Sequence, residues 1–398
     1  MIGRFKPKSE FSRNVLTLMT GTTIAQAIPV AISPILTRIY TPEDFGVFAL
    51  YMSVASILSV MATGRYELAI MLPKKDEDAA NIVALSIIIS FFVSSIALLI
   101  VFIFNAQITN LLGNPEISNW LYFVPITVLL TGIYQSFNYW SNRKKQYKRL
   151  ATSRIVQSGM TASTNLGMGF GGFGSFGLIL GNIFGQGMAM FFLGKIVYEE
   201  DRNFLQKVKK LKIVALAKKY IQFPKFDIWA SLLSVSSHQL MHILFNFLFS
   251  STTAGYYYLT QRILGLPMAF IASAISDVFR EEASKDFKKY GNAINIYKAT
   301  LKKLLIISFF PSIFLYFFAV DLFVVVFGKE WTIAGEYVQI LTPMLFIKFI
   351  SSPLSFMLYI GEKQKLNLYS QVLFIISIIY SFLVSDDVYE VLNNIAIL

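Results

Sequence analysis

Residues 34–79 read PILTRIYTPEDFGVFALYMSVASILSVMATGRYELAIMLPKKDEDA. Within this stretch, residues 45–63 form an apolar run of membrane-spanning length, and polar turns containing Arg38 and Arg65 bound it on either side. Apolar runs of this kind recur from one end of the chain to the other, which predicts an α-helical protein that crosses the membrane many times. A weaker copy of the pattern begins at residue 254, which indicates an internal repeat.

The composition supports a membrane protein and excludes several kinds of site. Of 398 residues, 55% are hydrophobic and only 15% are charged, and the mean hydropathy is +0.58. Soluble domains carry about a quarter of their residues as charged side chains. The chain has no cysteine, so disulfides, thiolate metal sites and cysteine nucleophiles are excluded.

The distribution of positive charge predicts the topology. The amino terminus is basic and contains Arg4, Lys6 and Lys8. Every connection that follows an even-numbered predicted span is also basic, including residues 143–154 and 195–225. Because cytoplasmic loops are enriched in Lys and Arg, the amino terminus is expected in the cytoplasm. The net charge of +12 is then explained by basic cytoplasmic loops, which fix the topology and are attracted to anionic lipid. No nucleic-acid partner is expected. The fold class is therefore all-α, with eleven predicted spans at residues 14–35, 45–63, 79–104, 120–139, 155–170, 173–197, 227–249, 254–276, 301–327, 336–360 and 366–385.

The longest polar stretch divides the predicted spans into two groups. We predict an N-terminal six-helix lobe at 1–198, a basic cytoplasmic connector at 199–226 and a C-terminal lobe at 227–398. Both lobes would begin on the cytoplasmic side, so an internal repeat would be related by an axis along the membrane normal. Residues 386–398 are too short and too acidic to cross, so the second lobe is expected to lack a last helix.

The most specific motifs lie in and beside the quoted stretch. LTRIYTPEDFG at 36–46, GRYELA at 64–69 and LPKKDEDA at 72–79 resemble the oligosaccharide flippases called Wzx, or O-antigen translocases. Their superfamily includes the lipid II flippases and the multidrug and toxic compound extruders. The resemblance implies two pseudo-symmetric bundles around a central cavity, although the family usually has twelve spans or more. It also implies a protein of the bacterial cytoplasmic membrane.

The resemblance carries expectations about activity and partners. It implies that the protein flips a polyprenyl-diphosphate-linked oligosaccharide from the inner to the outer leaflet by alternating access, for O-antigen or capsule synthesis. No catalytic residue, metal or cofactor is expected, and Na⁺ or H⁺ is a candidate coupling ion. The expected partners are the lipid-linked oligosaccharide, membrane lipids, a polysaccharide polymerase and a chain-length regulator.

Two basic residues inside predicted spans are candidate substrate ligands. Arg262 lies in the eighth span, and a buried arginine costs about 2.5–3.5 kcal/mol on insertion scales, so it normally faces a cavity or a partner. Its guanidinium would present a bidentate fork to the diphosphate, although an ion pair with a neighbouring helix is the alternative. Lys348 in the tenth span supports the same argument, although its flexible chain could instead extend to the membrane surface.

Four more residues complete the candidate substrate site. Arg38 and Arg65 flank the second span and could contact phosphate or sugar, while the alternative is anchoring to lipid headgroups. His238 and His242 are four residues apart and therefore share one helix face. They could line a sugar cavity or pack as polar core residues, since a metal would need a third ligand.

Two rival functions are distinguished by where acids lie. A membrane O-antigen polymerase or glycosyltransferase needs extended outer loops, but the largest outer connection, residues 105–119, offers only Glu116 as an acid. A drug or cation exporter of the same superfamily would favour acids inside its spans, and only Asp321 approaches such a position. Arg262 and Lys348 fit an anionic cargo better.

Overall fold

The structure is a computed structural model of the chain, and it describes residues 10–361 and 363–397. Over these residues it is built of helices and their connections, with no β-strand, which confirms the all-α prediction. Arg4, Lys6 and Lys8 of the basic amino terminus lie outside the described residues. Contacts divide the chain into two units, Met1–Ser251 and Thr252–Leu398, which are described separately.

The first unit contains residues 34–79, the stretch that carries the most specific sequence motifs. A π-helix at Phe223–Asp227, which contains Pro224, leads into its last long helix. Its α-helices are α1 Glu10–Ile39, α2 Pro42–Ser59, α3 Tyr66–Ala69, α4 Asp76–Leu112, α5 Ile117–Leu121, α6 Val124–Arg143, α7 Tyr147–Phe170, α8 Ser175–Glu200, α9 Arg202–Leu205, α10 Lys210–Lys219 and α11 Ile228–Leu248.

In the second unit, two long helices pack on each other: α14, Ile294–Phe327, and α15, Thr332–Leu354. Its α-helices are α12 Ser251–Pro267, α13 Ser273–Tyr290, α14 Ile294–Phe327, α15 Thr332–Leu354, α16 Met357–Ile360, α17 Gln364–Val384 and α18 Val388–Ile397. A π-helix at Met268–Ala272 joins α12 to α13, and a 3-10 helix at Lys329–Trp331 precedes α15. The short α18 packs on α15 and buries Val391, Leu392 and Ile395.

Each of the eleven predicted spans coincides with a helix of the described residues. The eighth differs most, because the helix turns into a π-helix directly after Pro267, which has no N–H to donate, and α13 then continues to Tyr290. Within the part of the chain that the structure describes, six helical segments are long and apolar enough to cross a membrane by length and composition: Thr17–Ile39, Asp76–Leu112, Ile117–Arg143, Ser175–Glu200, Ile294–Phe327 and Lys329–Leu354.

The motif at 36–46 spans the end of α1, the short connection and the start of α2. The Thr41 hydroxyl accepts a hydrogen bond from the backbone N–H of Asp44, and the Asp44 carboxylate accepts one from the backbone N–H of Thr41 at 2.9 Å. Pro42 occupies the first helical turn, where its missing N–H costs nothing. This capping box satisfies otherwise unpaired donors and fixes where the second span begins.

The contacts of α11 place it in the first unit, beyond the predicted lobe boundary at 227. It packs against α2, where the Ser53 hydroxyl donates to the Gln239 side-chain oxygen at 3.0 Å. A Cβ added to Gly46 of α2 would lie 1.7 Å from the backbone oxygen of Ser251, the last residue of the first unit, so glycine is required where α2 approaches the residues that follow α11. The predicted lobes are related by an internal repeat, whereas the two units are defined by contacts. The lobe boundaries therefore stay a prediction.

The predicted connector, residues 199–226, packs against the rest of the first unit. Helices α9 and α10 both pack on α4, and Leu216 joins a buried cluster with Ala79, Ile82 and Val83. The Tyr66 hydroxyl donates to the backbone oxygen of Ala217 at 2.9 Å. The basic stretch therefore belongs to the compact body of the first unit.

Candidate functional site

A polar cavity lies inside the first unit. One part, of about 670 Å³, is lined by α1, α6, α7 and α8, and an adjoining part of about 570 Å³ is lined also by α2, the α2–α3 turn and α11. The two parts share five lining residues, so we treat them as one cavity, called here the amide cavity: Thr131, Gln135, Tyr139, Gln157 and Gln186.

Carboxamide side chains dominate the polar lining of the amide cavity. On α6, residues 131, 135, 138 and 142 follow one another at intervals of three or four, so one face of the helix is polar throughout its length. The Gln157 amide donates to Gln186 at 2.5 Å, which joins α7 to α8 across the wall. Carboxamides both donate and accept hydrogen bonds, as sugar hydroxyls do. The amides are Gln26, Gln135, Asn138, Asn142, Gln157, Asn182, Gln186 and Gln239.

Arg154 supplies positive charge to the same cavity. It lies in the second turn of α7, is half-buried, and donates to the Thr22 hydroxyl of α1 at 2.6 Å. Among the described residues no carboxylate oxygen lies within 4.0 Å of its guanidinium, so its charge is not neutralised by a direct ion pair. Sequence interpretation missed Arg154, because the fifth span was predicted to begin at residue 155 rather than at Tyr147.

Arg65 and Glu67 form a second charged group at the cavity wall. Arg65 has a positive φ of 62°, and its guanidinium contacts Glu67 at 3.1 Å and Asp227 at 2.6 Å. Glu67 is buried and also accepts a hydrogen bond from the Thr63 hydroxyl. Burial raises the pKa of the Glu67 carboxyl above its usual range, while the Thr63 hydrogen bond and the Arg65 charge oppose that rise. Glu67 is the one carboxylate among the described residues that line the amide cavity.

A second arginine of α7 forms a buried ion pair outside the cavity lining. The Arg149 guanidinium donates twice to one oxygen of Asp201 at 3.1 Å, and their side chains are only 6% and 8% exposed. The Trp140 indole donates to the same oxygen at 2.9 Å. These contacts join α6 and α7 to the end of α8.

The structure brings only one of the six predicted site residues to the amide cavity, namely Arg65. Arg38 is exposed at the end of α1 and donates to the backbone oxygen of Pro34 at 2.6 Å in its own helix. His238 is exposed and contacts the backbone oxygen of Ser234 at 2.9 Å, also in its own helix. His242 is half-buried one turn later on α11.

The other two predicted residues belong to the second unit. Arg262 is half-buried in α12, six residues before the π-helix, and Lys348 is exposed on α15. The cavities described in this unit, of about 220 and 70 Å³, have mainly apolar linings that include neither residue. The roles of Arg262 and Lys348 stay predictions. Within the described residues no group of three or more His, Asp or Glu side chains is placed to hold a metal ion.

Comparison with solved structures identifies the fold. The chain matches the inward-facing conformation of a multidrug resistance MATE family transporter of the MOP superfamily, with a TM-score of 0.67 and 12% identity over 95% of this chain and 90% of that one. It also matches a MOP superfamily transporter from Pyrococcus furiosus, with a TM-score of 0.58 and 13% identity over 96% and 91%. A mutant of the Vibrio cholerae MATE transporter VcmN matches with a TM-score of 0.58 and 13% identity over 96% and 91%. The fold is that of a polytopic membrane transporter.

Comparison of sequences identifies the family. A search of curated protein sequences found no significant match. The profile of the family described as Polysaccharide biosynthesis protein matches residues 35–335, which include the motif at 36–46 and most of the chain. This confirms the family expected from the sequence. The chain has the fold of the MOP superfamily transporters and belongs to the polysaccharide biosynthesis protein family.

Proposed function

We propose that the protein flips a polyprenyl-diphosphate-linked oligosaccharide from the inner to the outer leaflet of the bacterial cytoplasmic membrane, by alternating access. The observation that carries this proposal is the lining of the amide cavity. Eight carboxamides surround it, and Arg154 contributes a charge that no carboxylate pairs directly within the described residues. A neutral polyhydroxylated cargo with an anionic end matches that combination.

The chemistry of each part of the cargo fits a different part of the lining. Sugar hydroxyls donate and accept hydrogen bonds, so carboxamides can replace the water that a glycan loses on entering the protein. The diphosphate requires cations, and guanidinium offers parallel N–H donors to phosphate oxygens. Moving the cargo makes and breaks no covalent bond, so the proposal requires no catalytic residue.

The second candidate is a drug or cation exporter, because one similar structure is that of a multidrug resistance MATE family transporter. A cavity for cations would be expected to present unpaired carboxylates, whereas Glu67 is already bound to Thr63 and Arg65. The similar Pyrococcus furiosus protein is described as having a binding pocket of reversed polarity that suggests a different function. That description supports the view that this fold accommodates cavities of opposite charge.

The location and partners follow from the proposed cargo. Surface polysaccharide is O-antigen or capsule, so a polymerase and a chain-length regulator would act on the flipped product. The basic connections favour an amino terminus in the cytoplasm. Arg65, Glu67 and Arg154 all lie towards the helix ends that join these connections, where the cargo would enter from the inner leaflet.

Depletion of the protein in its host cell tests the proposal. Depleted cells should lose surface polysaccharide and accumulate lipid-linked repeat units on the cytoplasmic leaflet, while their sensitivity to cationic drugs stays unchanged. Intact surface polysaccharide together with increased drug sensitivity would instead favour the exporter.

A further inference from the structure

The outward face of α10 combines apolar and basic side chains in an ordered way. Leu211 is 86% exposed and Val214 is 48% exposed, and both lie on that face, with the exposed Lys218 between them. Lys210 and Lys219, also exposed, lie on its opposite edges, about 180° apart at about 100° per residue. Exposed apolar side chains interspersed with lysines, whose long stems can extend to the headgroups, suit a helix that lies in a membrane surface.

The inward face of α10 is fixed to the first turns of α4. Lys207, just before α10, contacts Glu77 at 2.9 Å, and Lys212 contacts Asp78 at 3.3 Å. The backbone N–H of Lys209 donates to the Asn81 side-chain oxygen at 2.8 Å. The orientation of α10 is therefore set by polar contacts, and its apolar outward face cannot rotate into the protein.

The depth of α10 matches the edge of the membrane. Its buried residue Leu216 packs in a cluster with residues 79–83 of α4, where the charged start of that helix gives way to its long apolar run. At about 1.5 Å per residue, Asp76 and Val83 are about 10 Å apart along α4. Interfacial helices insert by about 5–10 Å at the boundary between headgroups and acyl chains.

Charge decides which lipid fits this face. Lys209, Lys210, Lys218 and Lys219 are exposed along α10 and at its start, and the salt bridges of the described residues include none of them. The acids beside α10, Glu77 and Asp78, are already held by Lys207 and Lys212 on the inward side. The outward face is therefore basic as well as apolar, which complements the anionic headgroups of the cytoplasmic leaflet.

We propose that α10 is a membrane-surface helix that binds anionic lipid headgroups and thereby anchors the cytoplasmic end of α4 in the bilayer. Leu211 and Val214 insert among the acyl chains, and Lys210, Lys218 and Lys219 bind the headgroup phosphates. The inference concerns the lipid surface and holds whichever cargo the amide cavity carries.

Site-specific fluorescence tests this inference in the cysteine-free chain. Leu211→Cys and Val214→Cys replace exposed side chains, so the full-length protein should still fold when labelled with an environment-sensitive dye. The labelled protein is reconstituted in phosphatidylcholine alone or with about one third phosphatidylglycerol, and nitroxide-bearing lipids serve as quenchers. A label on Glu282→Cys, an exposed position of α13 beside charged residues, is the control.

We expect lipid quenchers to act on the labels at 211 and 214 at least twice as strongly as on the label at 282. Phosphatidylglycerol should increase that quenching, and Lys210→Gln with Lys219→Gln, or high salt, should remove the increase. Equal quenching with and without phosphatidylglycerol would overturn the anionic-lipid assignment. If lipid quenchers fail to act on the labels at 211 and 214 in both membranes, those side chains are exposed to water. That result would overturn the proposal and favour a protein partner for this face.

Discussion

Replacing Arg154 by alanine is expected to reduce transport of the lipid-linked oligosaccharide about 10- to 100-fold, because a hydrogen bond to a charged group contributes about 1.5–3 kcal/mol. The protein itself should insert at normal abundance. Within the described residues, Arg154 donates one side-chain hydrogen bond, to Thr22, and its removal leaves no buried carboxylate unpaired. Arg154→Lys keeps the charge without the planar fork and should retain intermediate activity. Surface polysaccharide and protein abundance are measured in the same strain.

Lys148→Ala is the matched control for Arg154→Ala. Lys148 lies one and a half turns earlier on α7, is exposed, and does not line the amide cavity, yet its removal changes the net charge equally. It should leave transport unchanged. Equal losses in the two variants would mean that the basic end of α7 acts through its overall charge, and normal transport by Arg154→Ala would exclude Arg154 from the site.

Asp201→Asn is expected to destabilise the protein by about 3–5 kcal/mol, the cost of breaking a buried ion pair in soluble proteins. The Arg149 guanidinium would keep only the Glu200 carboxylate, at 3.9 Å and largely exposed, as a charged partner. The asparagine oxygen could still accept from Trp140, so the variant isolates the loss of charge. The thermal transition of the purified protein and its abundance in membranes should both fall.

Two further variants give this prediction a control and a rescue. Glu199→Gln removes an exposed ion pair with Lys195 at 3.9 Å, and such pairs contribute about 0–1 kcal/mol, so the thermal transition should hardly change. Arg149→Met combined with Asp201→Asn removes both charges and should recover much of the lost stability. A double variant less stable than Asp201→Asn would show that Arg149 acts through contacts other than this pair.

The helices could be predicted because a membrane span leaves a strong sequence signal. The bilayer requires about 20 apolar residues and penalises charges, so all eleven predicted spans coincide with helices. The ends were less predictable where a local contact decides them. Helix α7 begins at Tyr147, earlier than the predicted fifth span, and there a tertiary contact is decisive: Asp201, far away in sequence, neutralises Arg149, so charge at the start of α7 does not mark a loop.

The amide cavity could not be predicted from isolated charges, which were the basis for choosing candidate site residues. Arg38 and His238 contact carbonyl oxygens of their own helices, which no sequence pattern reveals. The amides of the cavity were overlooked, although the polar residues at 131, 135, 138 and 142 follow a helical interval inside an otherwise apolar span. That periodic polar stripe is the signal that could have found the cavity. Arg65 does line the cavity, where Glu67 and Asp227 share its charge, and its role as a substrate ligand stays a prediction.

Transport by the purified protein in vesicles tests the central claim most directly. A polyprenyl-diphosphate-linked oligosaccharide is incorporated in the vesicles, and the fraction reached by a membrane-impermeant glycan-binding probe is followed over time, beside uptake of a fluorescent cationic dye. The account predicts that the wild-type protein makes the lipid-linked oligosaccharide cross between leaflets, that Arg154→Ala does so about 10- to 100-fold more slowly, and that the dye is not transported. Transport of the dye under a Na⁺ or H⁺ gradient, with the lipid-linked oligosaccharide left in its original leaflet, would contradict it.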